Sequence, residues 1–252
     1  MTNIKLIATD LDDTLLRRDK TVSDYTAGIF RRLRERGILA AFATARSLPM
    51  VTEYSGPLGV DNMILGNGGE IFAGGELIRD FFPPRGIVLT LIEELAANPA
   101  VYRLGVRTKR AFYTTNRESP DPSKIIWDFS EPITEPILRF SFRSGDASVA
   151  QSIQARFPEL KVHRFANEDL CDIGASGASK AAGVRILAEH FNISMSEIAA
   201  FGDNYNDVEM LRECGVGIAV ENAGDECKQA ADHICADCDS DGVVRWIEEN
   251  LL

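Results

Sequence analysis

The stretch ATDLDDTLL, residues 8–16, places Asp10, Asp12 and Asp13 within four positions. It overlaps the end of an apolar run that begins at Ile4, and such a run predicts a buried β-strand. Like charges this close repel each other, so the fold gains no obvious stability from gathering them there. Ligands of open α/β sheets bind at the carboxyl ends of the strands. The stretch therefore predicts a core strand whose end carries a functional site.

Composition bounds the class of protein. The chain has 252 residues, of which 45% are hydrophobic and 26% charged, which is ordinary for a globular protein. A net charge of −11 argues against nucleic acid or an anionic membrane as the primary partner. The apolar stretch after Met1 is cut short by Asp10, and no apolar run approaches the roughly 20 residues that span a bilayer. We expect a cytoplasmic protein without a signal peptide, and its oligomeric state stays open.

The five cysteines are an odd number, which does not suggest a secreted disulfide framework. Four of them crowd into the last forty residues, and reduced thiols are the better interpretation. His233, Cys235 and Cys238 form an H-x-C-x-x-C string that is reminiscent of a zinc site. Structural zinc usually needs four ligands, and no second pair lies nearby. Small, half-buried residues near a strand end are therefore the favoured interpretation.

Periodicity predicts short strands alternating with helices in the first and last parts of the chain. The strands predicted there are 4–9, 38–43, 63–65, 198–201 and 216–219, with a hairpin of 70–72 and 76–78. The helices predicted there are 23–36, one from residue 48, 180–191, 206–213, 225–231 and 242–250. Right-handed crossovers would join these parts into one parallel sheet.

The pattern changes after the sequence FPP at residues 82–84. Two helices are predicted in this middle part, at 87–97 and 147–157, and the strands predicted there are 101–107, 110–115, 137–142, 161–165 and 170–173. This mixture favours an α+β layer over further parallel units. The fold class is thus α/β, with a Rossmann-like parallel-sheet core of residues 1–81 and 177–252. Residues 82–176 form an inserted α+β domain.

Polar residues follow each predicted core strand. They are Asp10 and Asp12, then Thr44 and Arg46, then Asn67, then Asp203, Asn206 and Asp207, with Lys180 opening the helix that returns to the core. Neighbouring carboxylates repel unless a cation offsets them, and Mg²⁺ prefers such oxygen ligands together with phosphate oxygens. The cluster therefore predicts a Mg²⁺-dependent phosphoryl-transfer site.

The spacing of Asp10 and Asp12 predicts two roles. Side chains at i and i+2 of an extended segment fall on the same side, so both can flank one phosphorus atom. One aspartate can attack it and form an aspartyl-phosphate, while the other donates a proton to the leaving alcohol. The proton donor must be protonated at least transiently, and we expect neighbouring carboxylates to raise the pKa of Asp12.

The motifs DLDDTLL, ATAR, GASK and FGDNYND, in that order, resemble those of the haloacid dehalogenase (HAD) superfamily. The flanking LGNGG and the C-terminal segment from residue 215 are similar to its Cof-type, class IIB phosphatases. The resemblance covers about 160 residues at both ends of the chain. It implies a HAD core with a C2B-type cap that determines substrate specificity.

The resemblance also implies roles for particular residues. Asp10 would be the nucleophile and a Mg²⁺ ligand, and Asp12 the acid/base, with its backbone carbonyl on the metal. Asp203 would bind Mg²⁺ directly, and Asp207 would support that metal shell. The transferred phosphoryl group would be held by Thr44, Lys180, Asn206 and the backbone N–H groups of Leu11 and Ala45, with Arg46 and Asn67 as possible substrate contacts. Many relatives have glycine where this chain has Asp13 and Ala45, and Asp13 would have no catalytic role.

The predicted function is a phosphatase that acts on a small phosphorylated metabolite, such as a sugar phosphate. A phosphomutase or phosphotransferase of the same class is the nearest alternative. A non-catalytic phosphate-binding protein and a phospho-acceptor signalling domain are alternatives of other kinds. A carbon–halogen hydrolase would have no use for Asp12 as an acid. Cations on the predicted strands of the insert can receive a second anionic group of the substrate, although charged strand faces are usually only solvated; they are Arg103, Arg107, Lys109, Arg139 and Arg143.

Overall fold

The computed structural model describes residues 3–118, 124–164 and 169–252. The chain divides into two compact units, one of Met1–Asp80 with Ser179–Leu252 and one of Phe81–Ala178. The predicted domain boundaries lie within two residues of these limits. That the second unit acts as a specificity cap stays a prediction. Within the described ranges, no helix is both long enough and apolar enough to cross a membrane.

The first unit begins with alternating strands and helices. They are β1 (Leu6–Thr9), α1 (Asp24–Glu35), β2 (Leu39–Ala43), α2 (Leu48–Leu58) and β3 (Asn62–Leu65), followed by the hairpin strands β4 (Glu70–Ala73) and β5 (Glu76–Asp80). The side chain of Ser23 caps α1 by accepting the N–H of Thr26, and α1 ends before Gly37, whose φ of +72° disfavours other residues. One face of α1 buries Ile29, Phe30 and Leu33.

The second unit has its own sheet and two helices that pack against it. Its elements are α3 (Arg85–Ala97), β6 (Val101–Thr108), β7 (Phe112–Thr114), β8 (Lys124–Ile126), β9 (Ile137–Ser144), α4 (Ala147–Arg156), β10 (Leu160–Arg164) and β11 (Leu170–Ala175). The strand order is β10-β11-β9-β6-β7-β8, antiparallel except for the parallel pair of β7 and β8. Apolar side chains of α3, α4 and one sheet face form the core of this unit.

The chain then returns to the first unit. The remaining elements are α5 (Lys180–Phe191), β12 (Ile198–Gly202), α6 (Val208–Glu213), β13 (Val216–Val220), α7 (Asp225–Ala230), β14 (His233–Cys235) and α8 (Gly242–Leu251). The strand order is β14-β13-β12-β1-β2-β3-β4-β5. Pairing is parallel from β14 to β3, and the hairpin of β4 and β5 adds antiparallel strands at one edge. This is the mixed α/β architecture that the sequence predicts.

The sheet register brings the polar strand ends together. Thr9 lies opposite Phe42 of β2 and Phe201 of β12, so the three strands end at one edge of the sheet. Residues that follow them are therefore neighbours in space, although they are far apart in the chain.

Two short strands are absent from the sequence prediction. β8 lies in a segment predicted as a Pro-rich connection, and β14 follows α7 directly. Each has only three residues, which is too few to show a period of two. The helix predicted from residue 206 begins at Val208, because the preceding residues form the site loop. Phe165, the last residue of one predicted strand, lies outside the described residues.

Candidate active site

Asp10 lies directly after β1 at the centre of the sheet edge. Its N–H donates to the carbonyl of Phe201 at 3.0 Å, and its side chain is buried. Burial raises the pKa of Asp10 well above its usual value, and the charges of Asp207 and Asp203 act in the same direction, while Lys180 opposes them. Asp10 is therefore a carboxylate that depends on a nearby cation to stay ionised.

Lys180 supplies that cation. Its Nζ lies 2.9 Å from Oδ1 of Asp10 and 2.6 Å from Oδ1 of Asp207, and its side chain is 1% exposed. Ser179 caps the start of α5 and fixes where the lysine begins. Burial alone lowers the pKa of a lysine, but the two carboxylates outweigh it and raise the pKa of Lys180 above its usual value. Lys180 is a fixed positive charge in the buried site.

Asp207 organises the loop after β12. Its Oδ1 accepts from Lys180, and its Oδ2 accepts the N–H groups of Asp203 and Asn204, each at 3.1 Å. A Cβ at Gly202 would lie 2.4 Å from the Cβ of Asp207, so only glycine fits there. Both oxygens of Asp207 already have partners, which suits a supporting position better than direct metal binding.

Asp203 receives one hydrogen bond that the sequence does not predict. Oγ1 of Thr14 donates to Oδ1 of Asp203 at 3.2 Å, and Thr14 is buried. Burial, followed by the charge of Asp207, raises the pKa of Asp203 to about 6. Thr14 stands in the same stretch as Asp10, and a hydroxyl in that position was the available signal.

The acidic cluster fits a divalent cation. Ligand oxygens of Asp10, Asp203 and Asp207 lie within 4.8 Å of one another. Because burial and mutual repulsion favour the protonated forms of Asp10 and Asp203, a cation there would restore their charge. Hard oxygen donors are the ligands of such cations. Asp10 and Asp203 are the residues placed to hold the metal.

Asp12 has a different partner from the one expected. Nε and Nη2 of Arg46 donate to its two oxygens, each at 2.8 Å, and Nζ of Lys20 lies 3.1 Å from Oδ1. Burial raises the pKa of Asp12, but the Arg46 hydrogen bonds and charge, with those of Lys20, outweigh it and lower the pKa. The expectation that neighbouring carboxylates raise this pKa is wrong, because its neighbours are cations.

Arg46 is held firmly in this position. Its guanidinium lies 5.2 Å from the ring centroid of Tyr54, and its side chain is 11% exposed. The Tyr54 hydroxyl in turn donates to the carbonyl of Lys20 at 3.0 Å. The structure thus places Arg46 on Asp12; its predicted contact with substrate stays a prediction.

Asp13 faces other partners and forms a turn. Its φ of +57° lies in the left-handed region, which aspartate tolerates better than most residues. Its carbonyl accepts from Asn222 at 2.7 Å, and its carboxylate lies 3.1 Å from Nζ of Lys20. A left-handed turn explains why glycine suits this position in the sequences that the chain resembles.

Thr44, Asn67 and Asn206 form a connected polar group. The N–H of Asn67 donates to the carbonyl of Thr44 at 2.9 Å, and Nδ2 of Asn206 donates to Oδ1 of Asn67 at 3.1 Å. Nδ2 of Asn67 and Oδ1 of Asn206 are buried without a hydrogen-bond partner among the described residues. Such groups cost about 1–3 kcal/mol each when unpaired, so they are suited to meeting a ligand.

The two predicted backbone contacts flank this group. Leu11 follows Asp10 and is buried, whereas Ala45 lies between Thr44 and Arg46 and is exposed. Their contacts with a phosphoryl group stay predictions.

The cysteines take no part in this site. All five are free and buried, in agreement with the predicted reduced thiols. The described residues contain one further group with metal-ligand spacing, Asp237 with Cys238 and Asp239, and it includes neither His233 nor Cys235. The H-x-C-x-x-C string therefore does not assemble into a zinc site.

Comparisons with known proteins point to one family. The family model for haloacid dehalogenase-like hydrolases matches residues 7–247. The 5-amino-6-(5-phospho-D-ribitylamino)uracil phosphatase YcsE of Bacillus subtilis is 28% identical, over 99% of this chain and 97% of its own. An HMP-PP phosphatase of Klebsiella pneumoniae is 27% identical, over 96% and 94%.

A solved structure of similar fold is that of a HAD subclass IIB sugar phosphatase. It superposes with a TM-score of 0.84 over 97% of this chain and 98% of its own. Its sequence is 21% identical, so this likeness concerns the fold alone.

Proposed function

Since the chain belongs to the haloacid dehalogenase-like hydrolase family, we propose that it is a Mg²⁺-dependent phosphatase of small phosphorylated metabolites, working through an aspartyl-phosphate on Asp10. The observation that carries the proposal is the contact of Asp10 with Lys180, 2.9 Å apart in a buried site that also holds Asp203 and Asp207. A nucleophilic carboxylate beside a fixed cation is suited to a phosphate ester, whose charge needs neutralising.

The first step forms the intermediate. An oxygen of Asp10 attacks the phosphorus atom, and the bond from phosphorus to the ester oxygen breaks. Asp12 donates its proton to that oxygen, which leaves as an alcohol. Lys180 stays charged throughout and offsets negative charge on the phosphoryl group. Mg²⁺, when bound by Asp10 and Asp203, supplies further charge stabilisation.

The second step releases phosphate. Asp12, now ionised, accepts a proton from water as the water attacks the aspartyl-phosphate, and Asp10 is regenerated. Water supplies the oxygen and protons that balance the reaction. The unpaired amide groups of Asn67 and Asn206 are suited to holding oxygens of the phosphoryl group or hydroxyls of the substrate.

Arg46 must loosen for the first step to occur. Both oxygens of Asp12 accept from Arg46, and a proton on either oxygen removes one of these acceptors. Protonation of Asp12 is therefore linked to partial release of Arg46. A phosphate ester beside Arg46 offers the guanidinium an alternative acceptor.

The substrate class is proposed from the relatives. Their names specify a phosphorylated pyrimidine with a ribityl chain, HMP-PP and, for the structural neighbour, sugar phosphates. All are small metabolites that carry a phosphate on a compact organic group. We propose the same broad class for this chain, with the second unit selecting among its members.

The test is hydrolysis of p-nitrophenyl phosphate with Mg²⁺ by wild type, Asp10→Asn and the control Asp13→Asn. Asn tolerates the left-handed conformation of residue 13, so this control keeps the fold and changes a neighbouring charge. We expect activity in wild type and in the control, and loss of activity in Asp10→Asn or on adding EDTA. A phosphorylated wild-type peptide containing Asp10, trapped by acid quench and found by mass spectrometry, would identify the intermediate. Equal activity in Asp10→Asn would refute the proposed nucleophile.

A further inference from the structure

Two pairs of arginines lie opposite each other in the sheet of the second unit. The register of β6 and β9 places Arg103 opposite Arg143 and Arg107 opposite Arg139. Like charges directly opposite each other destabilise a strand pair. We call these four residues the arginine frame. In a chain of net charge −11, such a concentration of positive charge is unexpected from composition.

The arginine frame occupies the sheet face turned away from α3 and α4. Residues that alternate with it, Leu104, Val106, Phe140 and Phe142, belong to the core that the two helices cover. Because strand side chains alternate between faces, the four arginines project from the opposite face. They therefore form one continuous cationic patch.

Glycine and an aromatic ring arrange part of this patch. Gly105 lies between the two arginine pairs, and a Cβ there would be 2.7 Å from Cζ of Phe112. Glycine thus admits the ring of Phe112 close to the sheet. The guanidinium of Arg107 lies 4.7 Å from the centre of that ring, and Nζ of Lys124 lies 5.3 Å from it. Contact with the ring holds both cations in place.

Carboxylates accompany only part of the patch. Nε of Arg139 donates to Oδ1 of Asp172 at 3.1 Å, and Arg143 forms an ion pair with Asp169. Arg103 makes no hydrogen bond or ion pair within the part of the chain that the structure describes, and it is half-buried. Cations therefore outnumber carboxylates among the described residues of this patch.

From this arrangement we infer that the arginine frame binds an anionic phosphate or carboxylate group of a small molecule. Guanidinium groups match both oxyanions with paired hydrogen bonds, and ordering by Phe112 lowers the entropy that binding would lose. An anion also relieves the repulsion between the arginine pairs. It belongs either to the substrate, as a second acidic group, or to a separate acidic effector. The first source rests on the proposed phosphatase function.

Binding is tested by thermal unfolding with tricarballylate, a tricarboxylate, at matched ionic strength and without added metal. We expect it to raise the Tm of wild type and of Arg156→Gln, and to leave the Tm of Arg103→Gln unchanged. Arg156 is a matched control because it lies on α4 and pairs with Glu94 at 2.8 Å. Arg103→Lys keeps the charge and should recover part of the shift. An equal shift in wild type and Arg103→Gln, or no shift in wild type, overturns the inference.

The source of the anion is tested by kinetics. The kcat/KM of a hexose bisphosphate is divided by that of the matched hexose monophosphate, in wild type, Arg103→Gln and Arg156→Gln. If the substrate supplies the second anion, this ratio exceeds one in wild type and falls about tenfold in Arg103→Gln, as expected for a lost charged hydrogen bond. If the ratio is unchanged while the Tm shift is lost, the ligand is a separate effector and the binding site stands. Turnover of p-nitrophenyl phosphate by wild type judges the phosphatase independently, since its absence leaves the Tm result intact.

Discussion

Replacing Lys180 by methionine removes the one charge that contacts both Asp10 and Asp207. Methionine has a similar length and no charge, so the change isolates the electrostatic role of the ammonium. The lysine side chain is 1% exposed and those of the two aspartates 9% and 0% exposed, so solvent screens these contacts little. The variant would contain two buried carboxylates without their cation.

The expected destabilisation is large. Removing one partner of a buried ion pair costs about 3–5 kcal/mol, because the other charge stays buried and unpaired. Total stabilities are about 5–15 kcal/mol. For a chain of this size each kcal/mol changes Tm by about 2–4 °C, so we expect Tm to fall by about 6–20 °C.

The loss should also depend on pH. The pKa of Asp10 is already above its usual value of 3.8, and loss of Lys180 raises it further. A folded state with a raised carboxyl pKa holds its proton more tightly than the unfolded chain does, so its stability falls as pH rises through that pKa. The Tm difference between Lys180→Met and wild type should therefore be larger at pH 8 than at pH 5.

Differential scanning calorimetry of metal-free protein in EDTA measures both effects. The matched control is Lys5→Met, which removes an exposed lysine whose ion pair with Glu197 should contribute about 0–1 kcal/mol. The double variant Lys180→Met/Asp207→Asn should lose less than the sum of the two single variants, since each single change leaves a charge unpaired. If Lys180→Met lowers Tm no more than Lys5→Met, the buried ion pairs do not stabilise the site as described.

Three further changes test separate parts of the structure. Thr14→Val removes the hydrogen bond to Asp203, and we expect the Mg²⁺ concentration for half-maximal phosphatase activity to rise about 10–100-fold, as for other residues that orient metal ligands. Asp146→Ala removes the cap of α4; in Tm measurements its deficit should shrink as pH falls through 3.8, because the pKa of Asp146 is lowered by that hydrogen bond and the protonated cap is weaker. Gly28→Ala, inside α1 with no atom within 4 Å of the added Cβ, should stabilise by about 0.5–1 kcal/mol in urea unfolding, and a loss would show that the helix surface is not open there.

Much of the fold follows from local patterns in the sequence. Short apolar runs and amphipathic helices predict the parallel core, and Gly74-Gly75, with φ of +57° and +80°, predicts the hairpin. The family resemblance inferred from four motifs is confirmed. β8 and β14 are not predictable in this way, since a three-residue strand is defined by its neighbour in the sheet and not by its own pattern.

The site divides along the same line. Strand ends predict that Asp10, Asp203 and Asp207 meet, because parallel register fixes where strands end. The pairing of Arg46 with Asp12 spans 34 positions and depends on which way each side chain turns, which no local pattern records. For that reason the sequence predicts the members of the site better than it predicts their hydrogen bonds.

The repulsion among Asp10, Asp12 and Asp13 has a different solution from the expected one. A metal ion and Lys180 together would offset a single acidic cluster, but the three carboxylates do not form one. Lys180 pairs with Asp10, Arg46 pairs with Asp12, and the left-handed turn at residue 13 directs the third carboxylate elsewhere. The cations differ in consequence: the one on Asp10 favours an ionised nucleophile, whereas the one on Asp12 opposes the protonated acid. Binding of a phosphate ester that draws Arg46 away would therefore do more than position the substrate, because it would also restore the proton affinity of Asp12.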